Sequence, residues 1–141
     1  MKKFASAHWS GDIRSGQGSI STETEVLREA PYGFKSRFED GPGTNPEELI
    51  AAAHAACFSM ALSLGLGNAD LVAESIDTKA VVTLVKDGDG FSITDVHLTC
   101  NAKVPGASAE KFSQIAEETK LGCPVSKVLN ARITLDASLD S

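Results

Sequence analysis

One long apolar segment constrains the fold of this 141-residue chain more than any other feature of its sequence. Residues 49–66 consist mainly of alanine, leucine and other apolar side chains. Directly before them, Asn45 is a favourable helix N-cap, Pro46 suits the first helical position, and Glu48 occupies the acidic position of a capping box. These signals predict one helix that starts at Asn45 and runs to about Leu66.

The apolar residues of this predicted helix surround its axis instead of forming one stripe, which is typical of a helix buried on most faces. A chain of 141 residues has difficulty enclosing such a helix alone. We therefore expect a partner subunit to cover part of it. The segment also contains His54, Ser59 and Ser63 and is dominated by alanine, so we expect a buried helix and no membrane span.

Strands are predicted on both sides of this helix. Before it, glycine-punctuated segments indicate three short strands at residues 5–10, 19–23 and 32–38. After it, candidate strands at 77–85 and 91–102 are joined by a Lys-Asp-Gly-Asp-Gly sequence that favours a hairpin turn. Within the second of these, Ile93 and Val96 do not keep strict alternation.

The last third of the chain completes an α+β pattern. Phe112, Ile115, Ala116 and Thr119 recur at helical spacing, which predicts a second amphipathic helix. We predict that all residues, 1–141, form a single domain. The remaining predicted elements are this helix at 109–120, a short helix from Cys123 to Leu129 and an alternating strand at 133–139.

Composition narrows the possible partners and the compartment. The chain has 42% hydrophobic and 23% charged residues, as globular proteins do, and a net charge of −6. Its basic residues never form a run, so we expect no nucleic-acid partner. No N-terminal signal is visible, and three cysteines are an odd number, so we expect reduced thiols in the cytoplasm. A disulfide in such a protein would be transient, and therefore functional.

The three cysteines differ in their local surroundings. Cys57 lies in the middle of the apolar helix, where a cysteine is commonly a small packing residue, and no neighbouring cation supplies the stabilisation that a reactive thiolate needs. Cys123, before Pro124, suits a helix N-cap, where backbone N–H groups favour an anion and would make it a good resolving group. A plain capping role fits equally well. We expect Cys100, on the apolar face of a strand, to be a core residue.

Other polar residues leave several functions open. His54 shares a helix face with Cys57 and could activate it or bind metal, but no further ligand has a recognisable spacing, and a hydrogen-bonded buried histidine is the simpler interpretation. From the residues alone, a two-thiol redox protein stands beside two alternatives. One is a non-catalytic ligand-binding or structural dimer, and the other is a metal-binding or thiol-sensing module.

Two longer sequence motifs resemble those of one family. Residues 44–62, which contain Ala-His-Ala-Ala-Cys-Phe, are similar to the cysteine-bearing helix of the OsmC/Ohr family, the osmotically inducible and organic hydroperoxide resistance proteins. Residues 122–129, Gly-Cys-Pro-Val-Ser-Lys-Val-Leu, resemble its second signature. The resemblance covers essentially the whole chain and is closer to the OsmC branch. It implies an OsmC-like fold, with antiparallel sheets around two long central helices in an intertwined homodimer.

The resemblance also implies a peroxidase cycle. Cys57 would attack an organic hydroperoxide, and hydrogen peroxide more weakly, and Cys123 would resolve the resulting sulfenic acid as a disulfide. Arg37 would stabilise the Cys57 thiolate and pair with Glu47, with Arg14 as the alternative arginine. No metal or cofactor is implied, and an external dithiol, of the lipoyl type, would reduce the disulfide.

Helix geometry adds a constraint on the implied site. Glu47 and Cys57 are ten residues apart on one predicted helix, which separates them by about 15 Å along its axis. A straight helix cannot bring both side chains to one reacting sulfur. We therefore expect a site shared between subunits, with Cys57 and Cys123 from one chain and Arg37 and Glu47 from the other.

Overall fold

A computed structural model describes residues 1–140 of the chain. Over this range it contains six strands and four helices, so the predicted α+β class is confirmed. The chain divides into two compact units, of which the first is Met1–Leu49 and the second begins at Ile50. The prediction of a single domain remains a prediction.

The first unit is built on a small antiparallel sheet. Its strands are β1 (Ala5–Ser10), β2 (Gln17–Thr22) and β3 (Ala30–Tyr32), hydrogen-bonded in that order. The Trp9 and Tyr32 rings lie 5.6 Å apart, centroid to centroid, across this sheet. The two strands predicted at 5–10 and 19–23 are therefore present, the second beginning two residues earlier.

The third predicted strand, at 32–38, is wrong beyond Tyr32. Residues Phe34–Phe38 form a short helix, α1, that starts after Gly33. The Gly33 N–H donates to Ser36 Oγ at 2.9 Å, and the Ser36 hydroxyl donates to the Gly33 carbonyl at 3.1 Å, which closes a turn. Phe34 and Phe38 then contact each other at the i, i+4 spacing of a helix. Arg37 consequently lies on a helix instead of a strand end.

The long helix, α2, spans Pro46–Gly67, as the sequence predicts to within one residue at each end. Asn45 caps it, because its Oδ1 accepts the Glu48 N–H at 2.8 Å, and its Nδ2 donates to the Ser36 carbonyl at 2.9 Å. Gly65, inside the helix, allows close packing: a Cβ there would lie 2.9 Å from Ile115 Cγ2.

The second sheet contains β4 (Ser75–Asp87), β5 (Gly90–Lys103) and β6 (Arg132–Asp140), in that order. The hairpin predicted between the first two is confirmed, with Gly88 in the left-handed region at φ +59°. The register shifts where Thr83 pairs with Asp95 and Leu84 pairs with Ile93, which leaves Thr94 as a bulge residue. This bulge explains why Ile93 and Val96 fall out of alternation.

The last strand corrects the expectation of antiparallel sheets. β6 runs parallel to β5, with Asp95 opposite Arg132 and Lys103 opposite Asp140, so the second sheet is mixed. The two helices between them, α3 (Ala109–Gly122) and α4 (Pro124–Val128), form a crossover connection. Such a connection is long enough to return the chain to the same end of the sheet, and a parallel neighbour follows.

The core of the second unit lies between the helices and the sheet. The predicted face of α3 is buried, and the helix ends at Gly122 as expected. One stripe of α2, formed by His54, Phe58, Leu62 and Leu66, is also buried. The apolar core consists of Phe58, Leu62, Leu66, Val96, Leu98, Cys100, Ala102, Val104, Phe112, Ile115 and Ala116.

Within one chain, α2 is buried on this stripe alone, so the expected burial on most of its faces does not occur inside the subunit. Met60 and Leu64, on another face, keep 76% and 68% of their surface exposed. By length and composition the helix could cross a membrane: its most apolar stretch has a mean hydropathy of 1.8 and is 22% buried. In the single chain, the apolar face of α2 that carries Met60 and Leu64 is therefore exposed.

Candidate active site

The structure brings two of the predicted site residues together. Cys57, on α2, and Cys123, between α3 and α4, are separated by 66 residues, yet their Sγ atoms lie 2.8 Å apart. Both are free thiols. Cys123 is fully buried and Cys57 is partly accessible, so an approaching molecule reaches Cys57 first.

Cys123 is held at a junction between two helices. Its N–H donates to the Thr119 carbonyl at 2.9 Å, which closes the last turn of α3. Its carbonyl accepts the Lys127 N–H at 3.1 Å, which opens α4, and Pro124 occupies the first helical position. The predicted N-cap position of Cys123 is therefore confirmed. The Cys123 sulfur consequently faces the amino end of α4.

The surroundings of Cys123 favour its anion. Burial alone raises the pKa of Cys123, but hydrogen bonding with the Cys57 thiol, with the Ser126 N–H and side chain and with the Val125 N–H outweighs it. The net effect lowers the pKa of Cys123 below the ordinary thiol value. The Cys123 sulfur makes no regular capping hydrogen bond to α4, so its lowered pKa reflects the combined effect of these several contacts.

The surroundings of Cys57 have the opposite effect. Burial, followed by the hydrogen bond and the charge of Cys123, raises the pKa of Cys57, and the Val125 N–H offsets this only in part. None of these influences is a cation. Of the two thiols in the isolated chain, Cys123 therefore ionises more readily, and a thiolate at Cys57 requires an additional positive charge.

The predicted arginine and glutamate also form a pair. Arg37 Nη2 donates to Glu47 Oε1 at 2.8 Å, and Arg37 Nε lies 3.3 Å from both oxygens. The Glu47 side chain is only 12% exposed, and the guanidinium also lies over the Phe38 ring. These two contacts fix the plane of the guanidinium and leave its remaining N–H groups available for another acceptor. Both residues belong to the first unit, whereas the thiols belong to the second.

The alternative arginine, Arg14, has a different environment. Its guanidinium lies 5.2 Å from the Phe34 ring centroid, and the backbone N–H of Arg14 donates to Asp12 Oδ1 at 2.9 Å. Hydrogen bonds from Ser15 and from the Arg14 N–H lower the pKa of Asp12 to about 2. Arg14 therefore belongs to a tight turn built around an ionised aspartate.

Two other predicted residues are buried. Cys100 is a core residue as expected, and burial raises its pKa. His54 is fully buried, and its Nε2 lies 2.7 Å from Ser126 Oγ, so the expected hydrogen-bonded buried histidine is confirmed. Burial lowers the pKa of His54, which keeps the imidazole neutral. Among residues 1–140, no group of three His, Cys, Asp or Glu residues is arranged to hold a metal ion.

Sequence reasoning missed Ser126. This serine is 9% exposed and contacts both His54 and the surroundings of Cys123. The sequence does contain a signal for it, because Ser126 follows Cys123 by three residues at the start of α4. A side chain at that position lies one helical turn beyond the cap and faces the same side as the cap residue.

The fold and the thiol pair define an α+β protein with a site of two cysteines, and comparison with known proteins gives its family. The OsmC-like protein family model matches residues 39–138, and the chain belongs to this family. It is 57% identical over 141 residues to Peroxiredoxin OsmC of Escherichia coli, covering 100% of this chain and 99% of that protein. It is 34% identical over 105 residues to organic hydroperoxide resistance protein-like 2 of Staphylococcus epidermidis, and this match covers 72% of this chain and 70% of that protein.

Solved structures agree with this assignment. The organic hydroperoxide resistance protein OhrB of Bacillus subtilis matches with a TM-score of 0.70 and 26% identity, over 95% of this chain and 97% of that one. An OsmC protein of Legionella pneumophila matches with a TM-score of 0.72 over 100% and 98%, and its 22% identity supports the fold alone. At 57% identity to a peroxiredoxin over its full length, the chain is an enzyme of the peroxiredoxin-like class.

Proposed function

We propose that this chain is a thiol peroxidase that reduces organic hydroperoxides to alcohols, with Cys57 as nucleophile and Cys123 as resolving residue. The observation that carries the proposal is the 2.8 Å approach of the two sulfurs, one accessible and one buried. Relatives named for peroxiredoxin activity and for organic hydroperoxide resistance support it. Hydrogen peroxide is expected to be a weaker substrate.

The cycle uses only sulfur chemistry. The Cys57 thiolate attacks one peroxide oxygen, the O–O bond breaks, and the departing alkoxide takes a proton to leave as alcohol. Cys57 is then a sulfenic acid. Cys123 attacks that sulfur, hydroxide departs as water, and the disulfide forms. An external dithiol, of the lipoyl type by the family resemblance, returns both residues to thiols. The sulfurs supply the electrons, so the cycle requires no metal or flavin.

Ionisation of Cys57 is assigned to Arg37. Within the chain the pKa of Cys57 is raised, and burial is the main reason. A guanidinium near the sulfur would reverse this, because an opposite charge within 4–6 Å lowers the pKa of an acid by about one to three units. Arg37, oriented by Glu47 at 2.8 Å, is suited to this task.

We further propose that the arginine comes from a second subunit of a homodimer. About 15 Å of helix separates Glu47 from Cys57, and Arg37 is bound to Glu47 of its own chain. The exposed face of α2 that carries Met60 and Leu64 is the surface that a partner copy would cover. The dimer would have two long central helices, one α2 from each subunit. A soluble, cytoplasmic dimer then accounts for the apolar helix without a membrane.

The surroundings of Cys57 favour a hydrophobic peroxide. The thiol lies on the longest apolar element of the chain, beside Ala56 and Phe58. An alkyl group gains free energy by leaving water for such a surface, about 25 cal/mol per Å² of buried area, and hydrogen peroxide gains nothing comparable.

Mass spectrometry after one equivalent of cumene hydroperoxide tests the function. The wild-type chain should lose two hydrogen atoms as the disulfide forms. Cys123→Ser should instead gain one oxygen atom as a trapped sulfenic acid at Cys57, and Cys57→Ser should not change. Unchanged wild-type mass would refute the proposal and leave a non-catalytic dimer and a metal-binding module as the remaining interpretations. Cys100→Ser is the control and should behave as wild type.

A further inference from the structure

Two buried residues connect the same two segments that carry the thiols. His54 precedes Cys57 by three residues on α2, and Ser126 follows Cys123 by three residues on α4. Their side chains meet at 2.7 Å, with relative exposures of 0% and 9%. The peroxidase cycle above gives neither residue a role.

The protonation of His54 can be assigned from its surroundings. Burial keeps the ring neutral, and a neutral imidazole carries one N–H. Within residues 1–140, Nδ1 is buried and has no hydrogen-bond partner. A buried donor without a partner is rarer in proteins than an incompletely used acceptor. The proton therefore resides on Nε2, and Nε2–H donates to Ser126 Oγ.

This assignment fixes the direction of the Ser126 hydroxyl. Since Ser126 Oγ accepts from His54, its own hydrogen is available for another acceptor. The Ser126 side chain and the Ser126 N–H both lower the pKa of Cys123, and both therefore stabilise its thiolate. A series of hydrogen bonds can therefore run from His54 through Ser126, which lies three residues after Cys123 at the start of α4, to the Cys123 sulfur.

We propose that Ser126 is a catalytic residue of the disulfide-forming step, donating a hydrogen bond to the Cys123 thiolate, and that His54 is a positioning residue that directs the Ser126 hydroxyl. The inference rests on the proposed peroxidase cycle. In this step an S–S bond forms between Cys123 and Cys57, and the S–O bond of the sulfenic acid breaks. The Cys123 sulfur is oxidised, the Cys57 sulfur is reduced, and the departing hydroxide and the proton lost by Cys123 form water.

The first test needs no peroxide and is independent of the proposed function. In a Cys57→Ser, Cys100→Ser background, which leaves Cys123 as the remaining cysteine, the ionisation of this buried thiol is followed against pH by the ultraviolet absorbance of its thiolate. Adding Ser126→Ala should raise the pKa of Cys123 by about one unit, since a hydrogen bond to the charged form is lost. Adding Ser126→Thr, which keeps the hydroxyl, should not. An unchanged pKa in the alanine variant, or equal shifts in both variants, would overturn the role of Ser126.

The second test measures the two chemical steps separately in the dimeric protein at pH 6. Rapid quenching gives the rate of sulfenic acid formation at Cys57 and the rate of disulfide closure. Ser126→Ala should lower the ratio of closure to formation about three- to tenfold, because a smaller thiolate fraction is partly offset by greater nucleophilicity. Ser126→Thr should restore the ratio. A wild-type ratio in the alanine variant would overturn the proposal.

His54 is tested in the same assay with a matched pair of variants. His54→Gln keeps a side-chain N–H near Ser126 and should retain most of the closure rate. His54→Met has a similar volume without the donor and should lower the ratio as Ser126→Ala does. Equal ratios in the two variants would overturn the positioning role. Should no variant form a sulfenic acid, the proposed function fails, while the thiolate titration still decides whether Ser126 stabilises the Cys123 thiolate.

Discussion

At the scale of single residues, the site combines two thiols whose environments act in opposite directions. The pKa of Cys123 is lowered and that of Cys57 is raised, so the buried partner is the better anion in the isolated chain. The proposed cycle needs the accessible sulfur to ionise first. A nearby cation must therefore lower the pKa of Cys57 below that of Cys123, and Arg37 is proposed for this role.

Replacement of Arg37 tests this assignment. Arg37→Ala should slow the reaction of Cys57 with cumene hydroperoxide about ten- to a hundredfold at neutral pH, because the raised pKa of Cys57 is no longer compensated. The rate should recover as the pH increases toward that pKa. Stopped-flow measurement of the first turnover gives both values. Arg14→Ala is the control, and a loss in that variant alone would transfer the role to Arg14.

The buried imidazole of His54 predicts a pH dependence of stability. Its pKa is lowered in the folded state, so below the unfolded value of 6.5 the unfolded chain binds a proton that the folded chain does not. This contribution to stability is complete above pH 6.5 and decreases as the pH falls toward the folded pKa, by at most about 1.4 kcal/mol per pH unit. Urea unfolding at pH 7.5 and 5.5 should show a smaller loss for His54→Gln than for wild type. Equal losses would contradict the assignment.

At the scale of elements, the sequence predicts the parts that depend on local signals. The capped start of α2, the hairpin around Gly88 and the buried face of α3 all follow from neighbouring residues and are confirmed. The short helix at Phe34–Phe38 is missed because alternating Phe34, Ser36 and Phe38 imitate a strand, whereas Ser36 closes a helical turn. The parallel placement of β6 depends on a crossover that no local pattern encodes.

The candidate site shows the same division. The two cysteine segments are recognisable in the sequence, but the 2.8 Å approach of their sulfurs depends on the packing of α2 against the α3–α4 junction. Ser126 was missed for a similar reason, since its contact with His54 spans 72 residues. The role of a polar residue such as Ser126 depends on a distant partner, whereas the periodicity of apolar residues already indicates their burial.

The exposed face of α2 leads to a prediction about assembly. Met60→Glu combined with Leu64→Glu should shift the protein from dimer to monomer, because two charges would have to leave water in the proposed interface. Analytical ultracentrifugation measures the outcome. Val72→Glu is the matched control, since Val72 is 79% exposed but lies outside the helix, and it should remain dimeric. A dimer that tolerates both glutamates would place the interface elsewhere.

At the scale of the whole molecule, the proposed enzyme is complete only as a pair of chains. Each chain holds its thiols in one compact unit and its arginine–glutamate pair in the other. In a dimer with shared sites, each chain would contribute its thiols to one site and its arginine–glutamate pair to the other.

Mixed dimers provide a direct check of this sharing. Alone, Cys57→Ser chains should be inactive, and Arg37→Ala chains should keep at most about a tenth of the wild-type rate at neutral pH. After unfolding and refolding together, a mixed dimer contains one site with an intact Cys57 and an intact Arg37 from opposite chains. We expect about one quarter of wild-type activity per total chain if assembly is random and each intact site works independently, since half of the dimers then carry one of two sites. Absence of recovery would indicate that Cys57 relies on the arginine of its own chain.

The spacing of the two thiols along the chain has a thermodynamic consequence. Oxidation would crosslink positions 66 residues apart, which restricts the denatured ensemble by about 4 kcal/mol on a chain-entropy estimate. The oxidised enzyme should therefore be the more heat-resistant form. By linkage, folding stabilises the disulfide by the same free energy. A dithiol that recycles the folded enzyme must therefore be more reducing than a dithiol that could reduce the same disulfide in an unfolded chain.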